Sequence, residues 1–222
     1  MKKVDVARKI LSANEAYAQK NRELLTRHGK RCFNMISSPG SGKTTLLVRT
    51  ISDLAGAVRI GVIEGDIQTD IDAQRIRATS APAVQINTDG ACHLSAVQVH
   101  RALEELPLDN LDIVLIENVG NLVCPSAFEL GEDGKIVVLS VAEGDDKPAK
   151  YPAIFAKSKV LLVSKVDLLS GGALIDFDLE RVRTDARRLN KSIEIFPVSA
   201  KTGEGMTAWY DWLTGQFAGT RF

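Results

Sequence analysis

Apolar residues fall into two rhythms along this chain. Near the start, Val6, Ile10, Ala13, Tyr17 and Leu24 recur at helical spacing, which predicts an amphipathic helix over about residues 2–28, stopped by Gly29. Its polar face carries Lys, Arg, Gln and Asn, so the helix either packs on the rest of the chain or offers a partner surface. Beyond it, short apolar runs predict strands at 31–37, 58–64, 83–87, 111–117, 135–142, 159–164 and 192–198. Several, such as Asp112-Ile-Val-Leu-Ile116, are continuously apolar, as strands buried on both faces of a parallel sheet must be. Helical stripes separate them: Leu46, Leu47, Thr50, Ile51 and Leu54; Val99, Ala102, Leu103 and Leu106; and Leu179, Val182, Ala186 and Leu189 behind Asp178, an N-cap. Alternating β and α predicts an α/β fold, a doubly wound, mainly parallel sheet of about seven strands flanked by helices, with ligands at the carboxyl ends of the strands.

Composition narrows the classes. The 222 residues are 45% hydrophobic and 25% charged, with no repeat and no internal boundary, which suggests one domain over 1–222. Lys+Arg and Asp+Glu both number 28, so there is no net charge to favour nucleic acid or an anionic membrane. No run approaches the ~20 apolar residues of a membrane helix, and the first ten residues lack the apolar core of a signal peptide. Three cysteines, Cys32, Cys92 and Cys124, do not make a closed disulfide set, which suits a reducing cytoplasm.

Candidate chemistry begins at Ser37-Ser-Pro-Gly-Ser-Gly-Lys-Thr44, which follows a strand and opens a helix, the context a P-loop requires. Gly40 and Gly42 let the backbone curl so that N–H groups, including those of Ser41 and Thr45, point at phosphate oxygens, and the helix N-terminus adds partial positive charge. Lys43 is placed to span the β and γ phosphates, and the Thr44 hydroxyl to ligate Mg²⁺. Ser37 stands where the pattern wants its first glycine, a position a small residue fills if its φ stays negative.

Two later strand ends select the base. Ser164-Lys165-Val166-Asp167 and Ser199-Ala200-Lys201 resemble the guanine-specificity elements of GTPases. The Asp167 carboxylate would accept from guanine N1–H and the exocyclic amine, whereas adenine would present it with a lone pair. The Lys165 stem would cover the base and the Ala200 N–H would meet O6. Ser164 replaces the usual Asn, which predicts the loss of some contact with the base and the P-loop. Ile113–Glu117, followed by Asn-Val-Gly120, resembles a Walker B strand and a γ-phosphate sensor: Glu117 would reach Mg²⁺ directly or through water, and the Gly120 N–H the γ-phosphate. Asn121 rather than Gln follows that glycine, which predicts slow unassisted hydrolysis. Asp66, just past a strand end, either supports Mg²⁺ or the attacking water or acts as a structural cap, while Asp70 and Asp72 read as helix N-terminal charges.

Cys92-His93 lies between a strand and a helix, and Cys124 in the loop behind the phosphate sensor. On the strand assignment both loops lie at the carboxyl edge of the sheet. Two thiolates and an imidazole suit Zn²⁺ or Ni²⁺, and three ligands leave room for a second protomer or for transfer. Taken alone, two cysteines are better explained as small buried hydrophobes; the nearness of Cys124 to the sensor is what turns the reading to metal. His100, two helical turns beyond His93, is a further ligand candidate. Cys32 reads as packing.

Together these residues resemble the hydrogenase nickel-incorporation GTPase family (HypB) over nearly the whole chain after residue 30. The carriers are the P-loop, Glu64-Gly-Asp-Ile-Gln-Thr-Asp70 with Asp72-Ala-Gln-Arg-Ile76, Cys92-His-Leu94, and Glu117-Asn-Val-Gly-Asn-Leu-Val-Cys-Pro125. The last is the most specific, since ordinary GTPases do not place Cys-Pro after the switch glycine. The resemblance implies a cytoplasmic metallochaperone GTPase that assists nickel insertion into [NiFe]-hydrogenase. It implies a GTP-dependent homodimer across the nucleotide face, a partner of the HypA type, and the hydrogenase large subunit as client. The shared metal site falls on Cys92, His93 and Cys124, and Ser95 stands where the family usually has Asp. The Cys-rich or His-rich N-terminal metal store of some members has no counterpart here, which implies that nickel storage lies elsewhere. Three rivals stand beside this reading. The urease-accessory GTPase carries Cys-Pro-His, but Ser126 follows Pro125 here. The others are a GTP-gated dimerisation module without metal cargo and a P-loop ATPase or small-molecule kinase.

Overall fold

A computed structural model describes residues 4–66, 71–171 and 175–217, with the backbone alone described for residues 4–10, 66, 71, 73 and 171. Its centre is a seven-stranded, all-parallel sheet of β1 (Arg31–Ser37), β2 (Ile60–Asp66), β3 (Ala83–Asn87), β4 (Ile113–Glu117), β5 (Gly134–Ser140), β6 (Ser158–Ser164) and β7 (Glu194–Val198). The strand order is β3-β2-β4-β1-β5-β6-β7, and every pairing is parallel. The helices are α1 (Val4–Arg27), α2 (Lys43–Asp53), α3 (Ile71–Arg77), α4 (Ala96–Glu105), α5 (Lys147–Lys150), α6 (Pro152–Lys157), α7 (Leu179–Leu189) and α8 (Met206–Gly215). The doubly wound P-loop architecture is therefore as expected, and the sheet is parallel throughout.

The apolar runs form the strands they predict because both faces of the sheet are covered. In β1, Phe33 and Met35 join one buried cluster, while Cys32 and Ile36 enter two others. Full burial of such side chains stabilises the fold by roughly 1.5–3 kcal/mol each. Cys32 is 1% exposed, and burial pushes its thiol well up, as a packing residue requires.

Strand boundaries shift where polar side chains capture the backbone first. The expected start of β2 at 58 moves to Ile60 because the Asp112 carboxylate accepts from both the Arg59 amide and its guanidinium. The expected 111–117 strand accordingly starts at Ile113. The expected 135–142 strand stops at Ser140, where Ser140 and Glu143 cap a single 3₁₀ turn. That expected at 192–198 begins at Glu194, because Asn190 holds Ser192 in a turn. Helix α3 starts where Asp72 was read as a helix N-terminal charge, whereas α5, α6 and α8 were not anticipated; α5 and α6 are too short for a 3.6-residue stripe to repeat.

The N-terminal helix packs on the domain. Of the expected face, Leu24 packs on the core and Tyr17 is half-buried against His100, Ala13 is exposed, and the side chains of Val6 and Ile10 lie outside the described residues. The most buried positions are Ala18, Asn21 and Leu25, with Asn14 beside them. Hydrogen bonds centre the contact there. The Asn21 amide donates to the Ala96 and Leu130 carbonyls, and Asn14 donates to Glu129 O while accepting from Ala96 N. At Gly131 (φ +95°) a Cβ would stand 2.6 Å from Ala18 O, so only glycine admits the helix this closely. The helix ends as expected at Gly29, with the Lys30 amide donating back to Leu25 O. No helix among the described residues is long and apolar enough to cross a membrane.

Candidate nucleotide and metal site

In a parallel sheet every strand delivers its following loop to one edge, and here the strand order turns back beside β1, where ligands bind. The loops after β1, β3, β4, β6 and β7 carry the candidate residues to that edge. A cleft of about 470 Å³ lies there, lined by Gly40, Gly42, Lys43, Thr44, Glu117 and Gly120, among others. Both P-loop glycines have positive φ, 76° and 92°, which frees the backbone to curl over the cleft. Ser37 is not among the positive-φ residues, and its hydroxyl accepts a 2.7 Å hydrogen bond from Lys43 Nζ. The residue in place of glycine thus helps hold the lysine.

Thr44 Oγ1 donates to Glu117 Oε1 at 2.7 Å. The other oxygen, Glu117 Oε2, is buried without a hydrogen-bond partner, and burial raises the carboxyl's pKa although Lys43 opposes it. A hydroxyl beside a buried, unpartnered carboxylate oxygen fits a hard divalent cation. Burial likewise lowers the Lys43 pKa, with Glu117 pulling the other way. The loop expected to sense the γ-phosphate comes close to the P-loop: a Cβ on Gly120 would stand 3.1 Å from Pro39 Cα.

Asp66 ends β2 opposite Asn87, but its side chain, like all of Asp70, lies outside the described residues. Asp72 does more than charge a helix end. It lines the cleft and pairs with Arg75, whose guanidinium donates to Thr45 Oγ1 at 3.0 Å. Sequence reasoning missed Glu64, which is buried, lines the cleft and stands in register with Glu117 across β2 and β4. Only that strand pairing distinguishes it from an ordinary strand-end glutamate.

A second cavity, of about 260 Å³, is bounded by Lys165, Asp167, Leu168, Ser199, Ala200 and Lys201. Ser199 Oγ donates to Asp167 Oδ1 at 2.7 Å, so the β7 loop orients the β6-loop carboxylate. Lys165, at φ +61°, lies over the P-loop and donates to Gly40 O. The expected loss of a P-loop contact at Ser164 does not occur. The Ser164 hydroxyl donates to Ser41 O at 2.6 Å, because the strand end lies close enough for a short side chain to reach.

Cys92, His93 and Cys124 place ligand atoms within 4.8 Å of one another. Donors on a transition metal with ~2.0–2.3 Å bonds stand ~3.6 Å apart, so the cluster needs little closure to hold one. The Cys92 Sγ to His93 Nδ1 separation is already 3.6 Å. The His93 ring stacks on Phe128 at 3.9 Å, an aromatic contact the sequence did not single out, and burial lowers its pKa. The Cys124 thiol beside Cys92 raises the Cys92 pKa. His100 is not brought to the cluster. Its Nδ1 lies 2.8 Å from Asn21 Oδ1 and its ring meets Tyr17 edge-on, so it seats α1 instead. Ser95, where aspartate was expected, precedes α4, and its amide donates to Gln98 in a capping box.

Residues 32–197 match the family model of the CobW/HypB/UreG nucleotide-binding domain. A hydrogenase maturation factor HypB of Rhizobium leguminosarum bv. viciae is 52% identical over 210 residues, covering 95% of this chain and 69% of its own. Two crystal structures are similar throughout. HypB from Archaeoglobus fulgidus gives TM-score 0.85 at 38% identity, covering 93% of this chain and 100% of its own. HypB from Helicobacter pylori in complex with nickel gives 0.86 at 36%, covering 95% and 99%.

Proposed function

The chain belongs to the HypB family of hydrogenase maturation factors, and on that footing we propose that it is a slow GTPase whose nucleotide state governs a bound nickel ion destined for [NiFe]-hydrogenase. The observation that carries the reading is the placement of Cys124. It sits on the loop that begins at Glu117 and Gly120, and it meets Cys92 and His93 at the sheet edge that also holds the P-loop. The nickel complex of the H. pylori relative supports nickel over zinc as cargo, although the ligand set suits both.

On this reading Lys43 and the P-loop amides hold the phosphates, and Thr44 and Glu117, with Asp66, would hold Mg²⁺, which would supply charge neutralisation to the phosphates. Lys165 covers the guanine, Asp167 selects it, and Ala200 and Lys201 close the base pocket. Gly120 senses the γ-phosphate. Two copies meet across the nucleotide face when GTP is bound; the open position of a three-ligand site and Val123, 59% exposed beside Cys124, support that arrangement. The partner is a maturation protein of the HypA type, and the client is the hydrogenase large subunit. Free cysteines at the site suit a cytoplasmic setting.

Hydrolysis is slow because Asn121 is already committed: its Oδ1 accepts from the Val123 and Cys124 amides, at 2.7 and 3.4 Å. Single-turnover assays should give a GTP rate on the order of 10⁻⁴–10⁻² s⁻¹, as for unassisted GTPases, with ATP untouched. A rate of several per second, or equal use of ATP, contradicts the reading.

Nickel capture should also depend on pH. The Cys92 thiol titrates above its ordinary range and must ionise to bind, whereas the lowered His93 pKa leaves that ring neutral near pH 7. Binding therefore expels a thiol proton, and affinity rises with pH by about 10-fold per unit for each thiol ionised. Titrations at pH 6.5 and 7.5 check this; a flat profile argues against thiolate ligation.

A further inference from the structure

Asn118 lies between the Walker B glutamate and the γ-phosphate sensor, and it is 2% exposed. Its backbone amide continues the sheet, donating to Met35 O beside β1. Its side chain uses both ends. Nδ2 donates to Asn34 Oδ1 at 3.1 Å, and Oδ1 accepts from the Val119 amide at 3.0 Å and from the Leu94 amide at 3.2 Å. Leu94 directly follows Cys92 and His93 and is itself fully buried. One carboxamide thus ties the phosphate-sensing loop to the loop carrying two of the three metal ligands.

The anchorage behind Asn118 is rigid. Asn34 is completely buried in the central strand, and its Nδ2 donates to Glu132 Oε1. Glu132 is fixed by Lys135 Nζ at 2.9 Å and by the Leu130 amide at 2.6 Å. A side chain held on one side by this buried network cannot rotate freely, so motion of residues 118–120 must be transmitted to, or resisted by, the Leu94 amide. The third ligand needs no such bridge, since Cys124 is continuous with the sensor loop and held in its turn by Asn121.

We propose that Asn118 is the positioning residue that couples nucleotide state to metal affinity, moving the Cys92–His93 half of the cluster relative to Cys124 when the sensor loop answers the γ-phosphate. The proposal rests on the nucleotide-gated reading above. Asn118 also borders the nucleotide cleft, but its side-chain hydrogen bonds run to Asn34, Val119 and Leu94, and it acts on the metal cluster through the Leu94 amide.

The test compares the nickel dissociation constant with a saturating non-hydrolysable GTP analogue and with GDP, in the unaltered chain, in Asn118→Ala and in Asn118→Asp, occupancy being confirmed with a fluorescent nucleotide. The unaltered chain should give a ratio of about 10-fold or more, within the usual range for coupled sites. Asn118→Ala should bring that ratio to within about twofold of unity, and Asn118→Asp, which keeps an oxygen for Leu94 but loses the donor to Asn34, should lower it in the same way while a folded chain still binds nucleotide. A wild-type ratio in either variant, with nucleotide occupancy confirmed, overturns the proposal. A flat ratio in the unaltered chain overturns it together with the reading it rests on, and is told apart because no variant is then needed. Independently of any variant, the Leu94 amide resonance should shift when GDP is exchanged for the analogue; a shift at Cys92 and His93 with Leu94 unmoved overturns the proposal.

Discussion

Replacing Cys124 with alanine should weaken nickel binding by roughly 100-fold or more while leaving GTP affinity within about twofold. Disturbing even the outer partners of a metal ligand costs 10–100-fold in affinity, so loss of a thiolate from a three-ligand set belongs at or beyond the top of that range. Nothing in the guanine or phosphate pockets depends on the thiol, because Cys124 lines neither cleft. The half-exposed position also limits the structural cost, since no deep cavity opens. Equilibrium titration of nickel against a competing chelator, with nucleotide affinity measured alongside, decides the matter. If nickel affinity is unchanged in Cys124→Ala, the cysteine is packing. If metal is lost and GTP-dependent dimerisation survives, cargo and assembly are separate properties of the same loop.

The base pocket gives the second large effect. Asp167→Asn should weaken GTP by about 100-fold, change ATP binding little, and improve binding of xanthosine triphosphate. Each hydrogen bond to the carboxylate is worth ~1.5–3 kcal/mol, and a site built to pair with a polar edge rejects the wrong one strongly. The structure fixes the direction of the change. Ser199 donates to Oδ1, so an asparagine there keeps its carbonyl toward Ser199 and turns its NH₂ toward the base. That donor opposes the donors of guanine but meets the carbonyl that xanthine carries in place of guanine's amine. Competition binding with the three nucleotides measures this; unchanged preference in Asp167→Asn would leave the chain an ATPase or kinase.

The sequence discloses this fold where each strand is buried on both faces and each helix is long enough to repeat its stripe. Leu115 and Ile116 in β4, and Val99 with Leu103 in α4, needed no tertiary knowledge. Legibility fails where polar side chains set geometry. The docking face of α1 centres on Ala18 and Asn21 because Asn14 and Asn21 bond to carbonyls far along the chain, and no hydropathy pattern encodes that. The P-loop was readable because its residue types and spacing are themselves the chemistry. Glu64, Asp72 and Phe128 were not, because only strand register and loop closure bring them to the site. Ser164 looked like a loss against a pattern, yet its hydroxyl reaches the P-loop, and Ser37, in a glycine position, adds an acceptor for Lys43 that the pattern did not call for. His100 went wrong for a related reason: two helical turns of spacing say nothing about the neighbouring helix, which claims the ring first.

The most direct test of a nucleotide-governed nickel carrier is nickel binding at equilibrium with solution mass followed in parallel, with GDP and with a non-hydrolysable GTP analogue. The account predicts a dimer with the analogue and a nickel affinity that differs between the two states by about 10-fold or more. Nickel binding that is weak and indifferent to nucleotide, in a chain that still binds GTP, would contradict it.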